Sequence, residues 1–153
     1  MPSREAIRVT VGDHRFFSTM AIVSTLAIAG GFANTYGPKV VSGAPVPTII
    51  HVHAGVFAAW LVVNVLQTGL IRNGRPAVHR RLGTAAMGLA ALMIVVGTMT
   101  AITVARRGDK GIPGVEMADA EGFLLLNLAA LVVFGVLVAA GYVWRREPQV
   151  HKR

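Results

Sequence analysis

The chain has 153 residues, 54% hydrophobic and 14% charged, with a formal net charge of +8 and no cysteine. That composition excludes a disordered tail and a disulfide scaffold, and the lack of thiols removes thiolate zinc sites, iron–sulfur clusters and cysteine nucleophiles. Residues 16–36, 48–71, 82–105 and 122–144 contain no Asp, Glu, Lys or Arg, and each stretch supplies the roughly 20 apolar residues that a helix needs to cross about 30 Å of hydrocarbon.

The expected fold class is therefore an all-α integral membrane protein. A single membrane domain over 1–153 holds four transmembrane helices in antiparallel hairpins. The first stretch follows Arg4, Arg8 and Arg15 and contains Ala27-Ile28-Ala29, as a signal peptide would. Its apolar run is longer than the about 7 to 15 residues of such a segment, so it is read as a retained helix. Residues 37–47 then carry Gly37-Pro38, Gly43, Pro45 and Pro47, which are turn chemistry and helix stops.

The second helix holds the chemistry. His53, Phe57, Trp60, Asn64, Gln67 and Ile71 recur at spacings of four and three, which places them within about 40° of one line along a helix. Polar groups in a span turn away from hydrocarbon, where an unpaired amide costs several kcal/mol. One reading makes the stripe interhelical glue, with Asn64 and Gln67 paired to Asn127, Thr98, Ser24 or Thr25. The other makes it a cofactor-binding face for haem b or a quinone, with His53, Trp60, Asn64 and Gln67 as the contacts. His51 and His53 stand about 200° apart on the helix and cannot clasp one iron along one face. His14, His79 and His151 lie near water beside Arg or Lys, where snorkelling and lipid contact are the commoner use and convergence of His79 and His151 on a metal or cofactor is the competing idea; His53 with Met99 is a further, mixed haem pair.

The second connection, 72–81, contains Asn73-Gly74 and Pro76, a tight turn that forces neighbouring helices to run antiparallel. The third helix presents Gly83, Ala86, Ala90, Gly97 and Ala101 as a small-residue packing face, and the fourth repeats the close-approach spacing at Gly135 and Ala139. Thr98, Thr100 and Thr103 are expected to return their hydroxyls to the backbone. Between these helices, Glu116, Asp119 and Glu121 are read as solvated carboxylates, and no metal site is expected.

Basic residues are distributed unevenly. Eleven lie before the first helix, in 72–81 and after the fourth helix; four lie in the other two connections. The positive-inside rule places both termini and the second connection in the cytoplasm. All the excess charge flanks spans, so it points to anionic lipid rather than nucleic acid. The lipid-binding set is Arg75, His79, Arg80, Arg81, Arg145, Arg146, His151, Lys152 and Arg153.

Pro76-Ala77-Val78-His79-Arg80-Arg81 is echoed by Pro148-Gln149-Val150-His151-Lys152-Arg153, and in shorter form by Asp13-His14-Arg15. Together with Arg15-Phe16-Phe17, Ala29 to Tyr36, His51 to Trp60, Gln67-Thr68, Gly74-Arg75 and His79 to Gly83, these motifs resemble an uncharacterised family of bacterial multi-pass inner-membrane proteins. The resemblance spans nearly the whole chain. It implies that these are the amino-terminal four helices of a pattern that continues further, or a short relative lacking the rest, and it implies no activity.

No span carries a charged relay, and no nucleophile with base and orienting acid, phosphate loop or zinc helix is recognisable. No catalytic residue is assigned. The expectation is a non-catalytic accessory or scaffolding subunit in the bacterial inner membrane, in contact with membrane lipid and with other membrane subunits or copies of itself. The alternative is a haem- or quinone-binding redox module.

Overall fold

The computed structural model describes residues 4–43, 45–107, 120–147 and 151. Among these residues all regular structure is helical: α1 (Arg4–Thr35), α2 (Gly37–Val41), α3 (Thr48–Arg72), α4 (Pro76–Arg107) and α5 (Ala120–Val143). Four stretches are long and apolar enough to cross a membrane: Arg15–Val41, Thr48–Arg72, Pro76–Arg107 and Ala120–Val143. The α3 and α5 bounds fall within two residues of those expected from charge-free runs. Both α1 and α4 start earlier, because absence of charge marks the part of a helix suited to hydrocarbon and not the point where helical backbone begins. Arg, Glu and Ala are all good helix formers.

Helix starts and stops follow local chemistry. At the end of α3 the Arg75 N–H donates to the Leu70 carbonyl (2.8 Å) and the Gly74 N–H to the Ile71 carbonyl (3.0 Å). This is the Schellman pair, and Gly74 takes the left-handed φ of 67° that it requires. Pro76 opens α4, where its missing N–H would have had no helical partner in any case. The expected stop at Gly37-Pro38 is instead the start of α2. Tyr36 is its N-cap and Pro38 falls in its first turn, so the Tyr36 N–H still reaches the Phe32 carbonyl (2.8 Å) and the helical path resumes at once. The chain departs from helix at Gly43, the other residue with a φ of 67°.

The described residues fall into two compact units, one within 1–45 and 58–86 and the other within 46–57 and 87–153. In the first, Ser18 and Ala21 of α1 and Ala86 of α4 are buried, while Phe16, Val23 and Leu26 are exposed. In the second, the buried ones among the described residues all lie on α4: Ala90, Met93, Val96, Gly97, Thr100 and Ala101. A Cβ on Gly97 would stand 2.9 Å from Leu131 Cδ2 and 3.5 Å from Phe57 Cζ, and one on Gly135 would stand 3.3 Å from Ile94 Cδ1. The small-residue face expected on the third helix is thus a real contact surface in this unit. On α5 the expectation holds for Gly135 but not for Ala139, which is exposed. The inward face of α5 runs through Leu128, Leu131, Gly135 and Val138, a spacing of three and four that leaves Ala139 on the next row round.

Candidate functional site, a polar seam on the third and fourth helices

The stripe on α3 is divided between the two units. In the second unit His53 is half-buried and lies flat against Phe57, with ring centroids 3.9 Å apart and planes at 28°. The far edge of Phe57 meets the backbone at Gly97, so His53 belongs to an aromatic packing group four residues deep along its own helix. Met99, its proposed companion for haem, is 53% exposed.

In the first unit Trp60 and Gln67 are half-buried, but Asn64 is exposed. The expectation is that all four stripe residues face protein or an internal cavity; within this chain His53, Trp60 and Gln67 have cover and Asn64 has little. Val62 and Leu66, expected on the opposite side, are 58% and 50% exposed. Angular position alone placed Asn64 among the packed residues, whereas its cover depends on how closely the neighbouring elements approach at that level, which periodicity does not encode.

Gln67 has the best-defined surroundings. Its amide nitrogen donates to His79 Nδ1 (2.7 Å) and to the His79 carbonyl (3.2 Å), and its amide oxygen accepts from the Gly83 N–H (2.9 Å). An acceptor at Nδ1 means that the imidazole carries its proton on Nε2. The Gln67 carbonyl, 3.3 Å from Nδ1, is then a neighbour and not a partner. A Cβ on Gly83 would stand 3.2 Å from the Gln67 amide, so glycine at this position lets the amide reach the α4 backbone. Gln67 is the glue of the first reading, with His79 and Gly83 as partners in place of the residues first considered. The sequence carried a signal for this. Mirrored about the Asn73-Gly74 turn, residue 67 falls opposite residue 80, within a helical turn of both.

Five other polar side chains in the spans are satisfied by their own helix. Asn34 donates to the Gly30 carbonyl (3.0 Å), Thr68 to Val65 (3.0 Å), Thr84 to Arg80 (3.1 Å), Thr103 to Met99 (2.8 Å) and Asn127 to Phe123 (2.8 Å). Thr103 follows expectation, while Thr100 does not. Its buried hydroxyl, like those of Ser18 and Thr25 on one face of α1, has no hydrogen-bond partner.

The residues assigned to lipid differ in their surroundings. Arg75, Arg80, Arg81 and Arg146 are exposed. Arg145 is exposed too, but its guanidinium lies 4.0 Å above the Tyr142 ring and donates to the Tyr142 carbonyl (2.8 Å). His151 Nδ1 donates to the Gly141 carbonyl (2.7 Å). Both side chains thereby cover carbonyls in the last turn of α5, where a helix lacks partners and favours positive charge. His79 is half-buried on Gln67. Lys152 and Arg153 lie outside the described residues, as do Glu116 and Asp119. Among the described residues no three of His, Asp and Glu come together as metal ligands would.

Comparison of the chain with protein-family models, with curated proteins and with solved structures returned no match.

Proposed function

We propose that the chain is a non-catalytic accessory or scaffolding subunit of a bacterial inner membrane, packing against other membrane chains and anionic lipid. The observation that carries the reading is the bare apolar surface of two spans. On α5, Leu125, Val132, Val136 and Leu137 are 62–70% exposed, and on α1 Leu26 is 67% exposed. Surfaces of this kind require hydrocarbon or another apolar helix, and neither offers chemistry to catalyse. The proposal includes antiparallel spans with both termini and 72–81 in the cytoplasm, and the family resemblance is part of it. Two contacts in the second unit support the antiparallel order of α4 and α5, since the step from Gly97 back to Ile94 accompanies the step from Leu131 on to Gly135. The exposed arginines of 72–81 support lipid contact, at about 1 kcal/mol for each cation near an anionic leaflet.

A haem b or quinone module is the competing reading, and the Asn64 amide, exposed in the middle of an apolar span, favours it. One preparation tests both. Gently solubilised from its native membrane, the protein is expected to leave with a stoichiometric membrane chain or a second copy, and without a Soret band. A monomer carrying stoichiometric haem or quinone would overturn the scaffolding reading.

A further inference from the structure

We propose that Gln67 and His79 form a proton-responsive clamp between α3 and α4, closed while the His79 ring is neutral and released when the ring takes up a proton. The inference concerns a contact within one unit of the chain and goes beyond the scaffolding reading.

The closed clamp uses the ring as an acceptor. The Gln67 amide nitrogen donates to His79 Nδ1 (2.7 Å) and to the His79 carbonyl (3.2 Å), while its oxygen accepts from the Gly83 N–H (2.9 Å). All three bonds need the amide in one orientation. A proton on Nδ1 turns that acceptor into a donor, and either response of the amide costs the clamp. Held in place, its N–H meets the new Nδ1–H at 2.7 Å, and the ring turns to the Gln67 main-chain carbonyl, 3.3 Å from Nδ1. Turned over about its Cγ–Cδ bond, the amide offers its oxygen to Nδ1–H. Its nitrogen then opposes the Gly83 N–H, donor against donor, and its oxygen opposes the His79 carbonyl, acceptor against acceptor. One charge-assisted bond replaces three bonds that tie the two helices together.

The position suits proton uptake from water. His79 is the fourth residue of α4, half-buried and three residues ahead of the charge-free run 82–105. Around it Arg75, Arg80 and Arg81 on α4 and Arg72 on α3 are exposed cations, which oppose a further positive charge. Residues 14–108 contain no Asp or Glu. On α1, which shares this unit, Arg15 is exposed, and the side chains of Glu5, Asp13 and His14 lie outside the described residues. The sign follows by linkage. The closed clamp holds the neutral ring, so the opened chain binds the proton more readily, and stability falls as pH falls through the imidazole range near about 6.5. A carboxylate seated on the ring would reverse that sign.

The test is thermal melting of the full chain in detergent, followed by circular dichroism, at about pH 8 and about pH 5.5. On acidification the wild-type midpoint is expected to fall by about 2 to 4 °C more than that of Gln67→Leu. Taking the difference cancels the four other histidines and the seven acids, which both chains share. His79→Gln is expected to lose the same part of the pH response. Nitrogen-15 NMR of the wild-type imidazole supplies a readout that needs no variant, with Nδ1 of His79 expected to be unprotonated at about pH 8. Equal pH responses in the wild type and both variants, a wild type that gains stability over Gln67→Leu on acidification, or a protonated Nδ1 at about pH 8 would each overturn the clamp.

Discussion

Replacing Gly97 with leucine is expected to lower the stability of the folded chain by about 1 to 3 kcal/mol. The first added carbon would stand 2.9 and 3.2 Å from the two methyls of Leu131 and 3.5 Å from Phe57, and the rest of the side chain has no room between them. Leu131 can rotate by a few tenths of an ångström, so Gly97→Ala should be milder; leucine must push α5 or the His53–Phe57 stack aside. Gly88 supplies the control. A Cβ there meets nothing within 4 Å, so Gly88→Ala should be neutral or stabilise by up to about 1 kcal/mol through helix propensity. Thermal melting in detergent, followed by circular dichroism, separates the two. Equal effects of the two leucine substitutions, Gly97→Leu and Gly88→Leu, would refute close packing at Gly97.

Gln67→Leu is expected to cost about 1 to 2 kcal/mol, because it removes all three hydrogen bonds from the α3 amide to α4. Gly83→Leu should act on the same contact from the other side, displacing the amide that lies 3.2 Å from its first carbon. The two changes break one interaction, so the double variant should lose much less than the sum of the singles. His79→Gln is a useful third member of the set. It removes the ring nitrogen that accepts from Gln67 and leaves Arg75, Arg80 and Arg81 in place. A loss of stability with unchanged affinity for anionic vesicles would assign His79 to the α3–α4 contact. Unchanged stability with weaker binding to such vesicles would return His79 to the lipid-binding set.

The helices were legible because spanning hydrocarbon imposes a length and a lack of charge that few other folds share. The Asn73-Gly74-Arg75-Pro76 turn was legible for a related reason, since only glycine takes the Gly74 conformation at little cost and proline is favoured in the first helical turn. Side-chain partners were harder to read. Periodicity placed Gln67 on the packed face without identifying its partner, which depended on Gly83 lacking a side chain sixteen positions later. It placed Asn64 on the same face, yet Asn64 is exposed, because cover is set by neighbouring elements and not by the helix itself. His79 and His151 share a motif and a basic flank. One receives a hydrogen bond from Gln67 and the other donates to the end of α5, a difference that no local pattern contains.

Lipid contact by the exposed arginines and the antiparallel order of the spans presuppose one threading of the chain, and thiol labelling in intact cells tests that threading most directly. Ser42 and Asn73 are both exposed, and each stands in a connection next to a span. Introduced one at a time into a chain that has no cysteine, Ser42→Cys is expected to react with a membrane-impermeant maleimide, while Asn73→Cys reacts only after the membrane is opened. Labelling of Asn73→Cys and protection of Ser42→Cys in intact cells would contradict the orientation, and labelling of both would contradict the span between them.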